Sequence, residues 1–241
     1  MKPLLAQVRA ELSMTLRRGE SVLLTLGIPV MLLVFFSLVD VLPHGSGKSV
    51  NSLAPGILAL AVMSAAFVGV AIATAFERQY GVLKRIGTTP LGRSRLLVAK
   101  IAAVVAVEII QAVVIAVVAV ALGWRPWASG LVGALAAILL GTAAFAGLGL
   151  WMAGTQRAEM VLASANGLYL LLLLVSGIMI PLTKLPGALR DVAQVLPSTA
   201  LSEILHGLLT HGAHVGGWAW PVLLVWAVGA PILAARTFRW E

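Results

Sequence analysis

Glu108 and Gln111 lie in the middle of an apolar stretch, residues 98–122. On a helix, their spacing of three residues places both side chains on one face. A charged carboxylate at the centre of a membrane span costs about 2.5–3.5 kcal/mol on insertion scales, so some interaction must offset that cost. Lys100 is too distant, because eight residues of helix separate it from Glu108 by roughly 12 Å. We therefore expect Glu108 to be protonated, hydrated or paired with another helix.

These possibilities lead to two interpretations of the polar pair. In the first, Glu108, Gln111 and Asn166 line or couple a translocation path, which is where ionisable groups within spans are commonly found. In the second, Glu108 makes a structural hydrogen bond between helices, with Asn166 or Ser164 as its partner. Both interpretations predict that Glu108 faces a cavity or another helix and not lipid.

The elements that must position this pair are predicted to be membrane-spanning helices. Hydrophobic residues make up 60% of the chain, and its mean hydropathy is +1.02. Both values exceed what a soluble core of this size buries, so we predict an all-α integral membrane protein whose residues 1–241 form one transmembrane domain. Six stretches have the length of a span: residues 22–42, 55–76, 98–122, 130–153, 160–181 and 218–236. The chain has no cysteine, which excludes disulfides and thiolate metal sites.

The basic residues predict the orientation of these spans. If both termini are cytoplasmic, thirteen of the 17 Lys and Arg residues lie on the inner side, in agreement with the positive-inside rule. A net charge of +8 that flanks apolar stretches fits anionic lipid head groups, and nucleic-acid binding is not expected. Residues 1–21 have a basic amphipathic pattern that predicts a helix at the inner interface, with a frayed tail as the alternative.

Two polar segments separate the predicted spans. Residues 77–96 form a strongly basic cytoplasmic loop, and residues 182–217 form an outer segment that is too polar to cross but has a helical pattern. In the outer segment we predict a hairpin of two helices, one over residues 186–195 and one with Ser198 or Thr199 as its N-cap. His206, His211 and His214 lie among glycines that would not fix a coordination geometry, so no metal site is predicted.

Three short motifs in the cytoplasmic loop resemble the permease subunits of type-2 ABC exporters, especially those that accompany drug- and antibiotic-resistance ATPases. The motifs are Glu77-Arg78, Gly81-Val82-Leu83-Lys84-Arg85 and Thr89-Pro90-Leu91. Gln79 stands where the family pattern has an acidic residue, and Val82 where it has threonine. A second similarity lies in the outer segment, at Pro181, Leu185-Pro186, Leu196-Pro197 and Glu203, and resembles the outer re-entrant region of the family.

The resemblance implies that residues 77–86 form a coupling helix that docks in a groove of a cytosolic ATPase. Its residues would be Glu77, Arg78, Gly81, Val82, Leu83, Lys84, Arg85 and Ile86. The side chains suit that role, because Val82, Leu83 and Ile86 are apolar anchors and the basic residues can meet acidic surface. Gly81 is expected to allow close approach of the two backbones. The alternative is a topological anchor without a partner.

The resemblance further implies a complex with a second permease, either an identical copy or a paralogue, and two ATPase subunits. These ATPases would bind ATP and Mg, since this chain has no Walker motif. No catalytic residue, cofactor or metal is assigned to the chain itself, and it is not expected to be an enzyme. We expect export of an apolar or amphipathic small molecule or lipid across a bacterial inner membrane. The alternative is an ion-coupled secondary transporter that uses Glu108 as a proton relay.

Overall fold

The computed structural model describes residues 19–39, 49–82, 92–178 and 182–238, and all regular elements within these ranges are helical. The prediction of an all-α fold is therefore confirmed. The predicted interface helix, residues 1–21, lies outside these ranges except for its last three residues, which begin the first described helix.

The helices follow the order of the predicted apolar stretches. They are α1 (Gly19–Leu38), α2 (Ser49–Val62), α3 (Val70–Gln79), α4 (Gly92–Ala121), α5 (Leu131–Thr155), α6 (Ala158–Val175), α7 (Gly187–Gln194), α8 (Pro197–Leu209) and α9 (Ala219–Thr237). Within the described residues, five helices are long and apolar enough to cross a membrane, which makes this a multi-pass membrane protein. The apolar part of α1, Leu26–Leu38, is shorter than those five. Six complete spans thus stay a prediction.

A π-helical segment, Met63–Gly69, joins α2 and α3 into one continuous span. It packs on α5, where a Cβ atom at Gly149 would lie only 2.8 Å from the Phe67 carbonyl oxygen. The rings of Phe67 and Phe145 meet beside this contact, with their centroids 6.4 Å apart. Glycine at position 149 therefore lets the two backbones approach closely, which is the usual role of small residues between membrane helices.

The outer segment contains α7 and α8, preceded by a 3₁₀ turn at Leu182–Lys184. The apolar stripe of α8 is buried, including Leu201, Ile204 and Leu205. The predicted N-cap is wrong, because α8 begins at Pro197 with Leu196 at the N-cap position and no side-chain cap bond. Proline is favoured at the first helical position, since its missing N–H needs no partner there. How this segment lies relative to the membrane stays a prediction.

Candidate functional site

The basic loop leaves the bundle where α3 ends. The helix stops at Gln79, and Gly81 follows with φ +70°, the left-handed conformation that closes many helices. A Cβ atom at Gly81 would meet nothing within 4 Å, so close backbone approach is not what the described structure requires of this glycine. Its conformation is the requirement, because a side chain at this φ is strained.

Three consecutive side chains at the end of α3 reach three other segments, and we call this arrangement the polar clamp. Glu77 Oε2 lies 2.5 Å from Lys100 Nζ on α4. Arg78 Nη2 donates to the carbonyl oxygen of Gln156, directly after α5. Gln79 Nε2 donates to Glu159 Oε1 on α6 over 2.7 Å. Successive helical residues point about 100° apart, so one short segment contacts partners on several sides.

The ion pair of the clamp is largely shielded from solvent. The Lys100 side chain is 7% exposed and the Glu77 side chain 18% exposed. Such a pair is screened little by salt, and removal of one charge from a shielded pair is destabilising. The sequence prediction missed this pair, although both residues flank the same loop and therefore lie at similar depth.

The residues predicted to couple to an ATPase are only partly within the described ranges. Tyr80 is 70% exposed and Val82 is 38% exposed, so apolar side chains stand open where the loop begins. Leu83, Lys84, Arg85 and Ile86 lie outside the described residues. Docking of this loop on a partner stays a prediction.

A second polar group, which we call the interior site, lies between α4 and α5. It consists of Glu108 and Gln111 on α4 and Thr142 on α5, all of which are buried. Thr142 Oγ1 is hydrogen-bonded to Glu108 Oε2 and also lies 2.8 Å from the carbonyl oxygen of Ile138, one turn earlier. Within the described residues, the other carboxyl oxygen, Glu108 Oε1, has no hydrogen-bond partner. Glu108 thus faces a neighbouring helix, as expected.

The interior site borders a very small cavity. Its volume of about 10 Å³ is close to the space that one water molecule requires. Besides Glu108, the lining residues are Leu58, Ala61, Val62, Gln111, Ala112 and Ile138. Pockets for small organic ligands typically measure roughly 300–1,000 Å³. The cavity is therefore far too small for a drug or a lipid.

The two partners predicted for Glu108 lie elsewhere. Asn166 is exposed on α6 and donates from Nδ2 to the carbonyl oxygen of Leu162 over 2.7 Å. Ser164 contacts Gln156 Oε1 and the carbonyl oxygen of Met160. The predicted hydrogen bond between Glu108 and α6 is wrong, because α5 and not α6 packs against this face of α4. Thr142 could have been identified from the sequence as a possible partner, because it is the polar side chain in the middle of the fourth apolar stretch.

The opposite end of the bundle is joined by uncharged polar contacts. Thr210 Oγ1 donates to the Asn51 carbonyl oxygen over 3.3 Å and lies 3.4 Å from His206 Nδ1. Burial lowers the pKa of His206, and the charge of Glu203 partly opposes this shift. Among the described residues, no three His, Asp or Glu side chains gather as metal ligands.

Comparison with known families agrees with the arrangement of helices and loop. The sequence profile of the ABC-2 type transporter family matches residues 4–209, a range that includes both the polar clamp and the interior site. This match confirms the resemblance to type-2 ABC permeases and does not extend to a drug-resistance subgroup. Comparison with curated proteins gave no match.

Proposed function

This chain belongs to the ABC-2 type transporter family, and from that premise we propose that it exports an apolar or amphipathic small molecule or lipid in an ATP-driven complex. It is a multi-pass membrane component of that transporter class. In the proposed complex it pairs with a second permease and with two cytosolic ATPase subunits that bind ATP and Mg. The chain crosses a bacterial inner membrane six times, with both termini in the cytoplasm, as the distribution of its basic residues supports.

The polar clamp is the observation that carries this proposal. A loop that transmits movement from an ATPase must be held firmly by the helices that move. Glu77, Arg78 and Gln79 attach the start of this loop to α4, to the junction of α5 and α6, and to α6 itself. Displacement of the loop would therefore displace several spans together, because these contacts form one connected set.

The beginning of the loop also supports a docking role. Tyr80 and Val82 expose apolar surface directly beside the clamp. In the sequence they are followed by Leu83 and Ile86, with Lys84 and Arg85 between them. Buried apolar anchors surrounded by charges are the usual composition of an interface centre and rim. We assign Val82, Leu83 and Ile86 to an ATPase groove and the basic residues to its acidic border.

The substrate path is proposed to lie between two permeases and not within one subunit. The cavity at Glu108 and Gln111 has room for about one water molecule. Asn166, by contrast, lies on the exposed face of α6, next to Gly167, where an added Cβ would meet nothing within 4 Å. A polar amide on an exposed face of a membrane span favours another helix or a wet path over lipid. Of the three candidate path residues, Asn166 therefore fits this role best.

The experiment compares Leu83→Asp with Ala213→Asp in the outer segment as a matched control. Each full-length tagged permease is purified from its native membrane, and the co-purifying ABC ATPase is identified by its Walker motifs in mass spectrometry and by ATP hydrolysis. We expect Leu83→Asp to insert normally but to lose most of the ATPase, since a buried interface anchor contributes about 2 kcal/mol or more, or roughly 30-fold in affinity. Ala213→Asp should retain the ATPase. Full ATPase association and full export by Leu83→Asp would contradict the docking assignment.

A secondary transporter is the second candidate function, and the buried carboxyl group of Glu108 is the observation that favours it. The two functions differ in their energy source. An ATP-driven exporter works in vesicles without a proton gradient and stops when ATP is withdrawn. A proton-coupled transporter shows the opposite dependence and requires Glu108.

A further inference from the structure

The hydroxyl group of Thr142 has more hydrogen-bond neighbours than it has protons. A threonine hydroxyl donates once and can also accept. Thr142 Oγ1 lies 2.8 Å from the Ile138 carbonyl oxygen, which can only accept. It is also hydrogen-bonded to Glu108 Oε2. If Thr142 donates to Ile138, the proton between Thr142 and Glu108 must come from Glu108.

We propose that Glu108 is a proton-binding site inside the membrane, where a neutral carboxylic acid donates from Oε2 to Thr142 Oγ1. Thr142 in turn donates to the carbonyl oxygen of Ile138. The result is a directed chain of two hydrogen bonds that joins α4 to α5. The bound ligand is a proton, so the inference goes beyond the proposed transport function and does not depend on it.

The surroundings of Glu108 support the protonated form independently of this geometry. Apart from Glu108, the side chains that line the adjacent cavity are apolar except for Gln111, and none of these others is ionisable. Across the interface, α5 contributes the neutral Thr142. Of the cations on α4, Arg93, Arg95 and Lys100, the last is nearest to Glu108 in the sequence, and it is in contact with Glu77.

An ionised Glu108 would have no counter-ion within the part of the chain that the structure describes. It would have one hydrogen bond from Thr142, while its Oε1 atom has no partner among the described residues. Removing a charge from water without such compensation is so costly that the group normally becomes neutral. The protonated form of Glu108 carries no charge. It also lets Thr142 accept a hydrogen bond from Glu108 and donate one to the Ile138 carbonyl oxygen.

Infrared difference spectroscopy tests this proposal on the full-length chain in lipid nanodiscs at pH 7. The wild-type spectrum should contain a C=O band of a protonated carboxylic acid that Glu108→Gln lacks, and this band should shift in D₂O. Loss of only carboxylate bands in Glu108→Gln would overturn the proposal. No ATPase is present, so this result is independent of the partner assignment.

Variants at Thr142 keep the test decisive if Glu108→Gln fails to fold. Thr142→Val retains Glu108 but removes the hydroxyl that accepts its proton, so the band should persist at a changed frequency. Thr142→Ser retains the hydroxyl and should leave the band close to its wild-type position. A wild-type protein without any protonated carboxyl band, or a band that Thr142→Val does not move, would contradict the assignment.

Discussion

Glu77 and Glu108 are glutamates in two neighbouring spans, but their carboxyl groups are stabilised in different ways. Glu77 lies at the end of its span, is 18% exposed and contacts the Lys100 ammonium. Glu108 lies in mid-span, is 3% exposed and contacts the Thr142 hydroxyl. Near the water interface, long basic side chains can reach a carboxylate and keep it charged. In the interior, no cation among the described residues contacts Glu108, and protonation is the less costly solution.

The largest difference should appear when the same substitution is made at both positions. Glu77→Gln removes the carboxylate that contacts the buried Lys100 ammonium and should lower the free energy of unfolding by about 3 kcal/mol. Glu108→Gln keeps a neutral group that can donate to Thr142, so we expect a loss below about 1 kcal/mol. Thermal unfolding of both variants in the same detergent measures the contrast.

A control variant separates the charge effect from loss of side-chain packing. Glu77→Gln combined with Lys100→Gln removes both charges and should recover much of the stability lost in Glu77→Gln alone. Equal unfolding temperatures for Glu77→Gln and Glu108→Gln would contradict the distinction between the two sites.

A smaller loss is expected at the acceptor of the interior site. Thr142→Val removes the hydroxyl that joins α4 to α5 and leaves a buried carboxyl without its partner, at a cost of about 1–3 kcal/mol. Thr142→Ser retains the hydroxyl and should cost less. Chemical unfolding of the two variants, with wild type as reference, measures the difference. A Thr142→Val variant that is as stable as Thr142→Ser would show that this hydrogen bond contributes little.

At the end of α3, substitution of Gly81 should lower the free energy of unfolding by about 1 kcal/mol. Gly81→Ala places a Cβ atom at a φ of +70°, which strains the backbone even though the space is open. Gly229→Ala is a suitable control, because Gly229 lies within α9, has open space and lacks the positive φ. Gly81→Ala should lower the unfolding temperature, while Gly229→Ala should raise it slightly. The reverse order would contradict the conformational role of Gly81.

The smallest effect concerns His206 at the other end of the bundle. Because burial lowers the pKa of His206, the unfolded chain binds this proton more readily than the folded chain. The stability that the neutral ring contributes is present above about pH 6.5 and is lost as the pH falls through the lowered pKa. His206→Gln should weaken this acid sensitivity in unfolding scans between about pH 7 and pH 5. An unchanged acid profile would exclude His206 as its source.

The apolar pattern predicted the spans well because length and hydropathy are local properties. The predicted stretch at residues 130–153 is observed as Leu131–Thr155, and that at residues 98–122 is helical up to Ala121, in the helix Gly92–Ala121. The π segment Met63–Gly69 was not predictable, since its residues fit an α-helix equally well and its backbone packs closely on Gly149. In the same way, the rotation and packing of helices decided that Glu108 meets Thr142 and that Glu77 meets Lys100.

Only part of the polar clamp could be predicted from the sequence. The resemblance to a family motif indicates a role for Glu77 and Arg78, whereas Gln79 departs from that motif. The structure shows that Gln79 contacts Glu159 on α6. An amide at this position can donate to a carboxylate, which an acidic residue in its ionised form cannot do.

We propose that the polar clamp makes the start of the basic cytoplasmic loop and α6 move together, and that this coupling can be measured. It is tested by spin labels at Tyr80→Cys and Met160→Cys, two exposed positions in a chain without native cysteine. The distance between the two labels is measured by pulsed electron paramagnetic resonance. The permease is in complex with its ATPase, with and without a non-hydrolysable ATP analogue. We predict one narrow distance that ATP does not change, and a broadened distribution when Arg78→Ala and Gln79→Ala are added. A wild-type distance between these two labels that shifts on ATP binding would contradict the account.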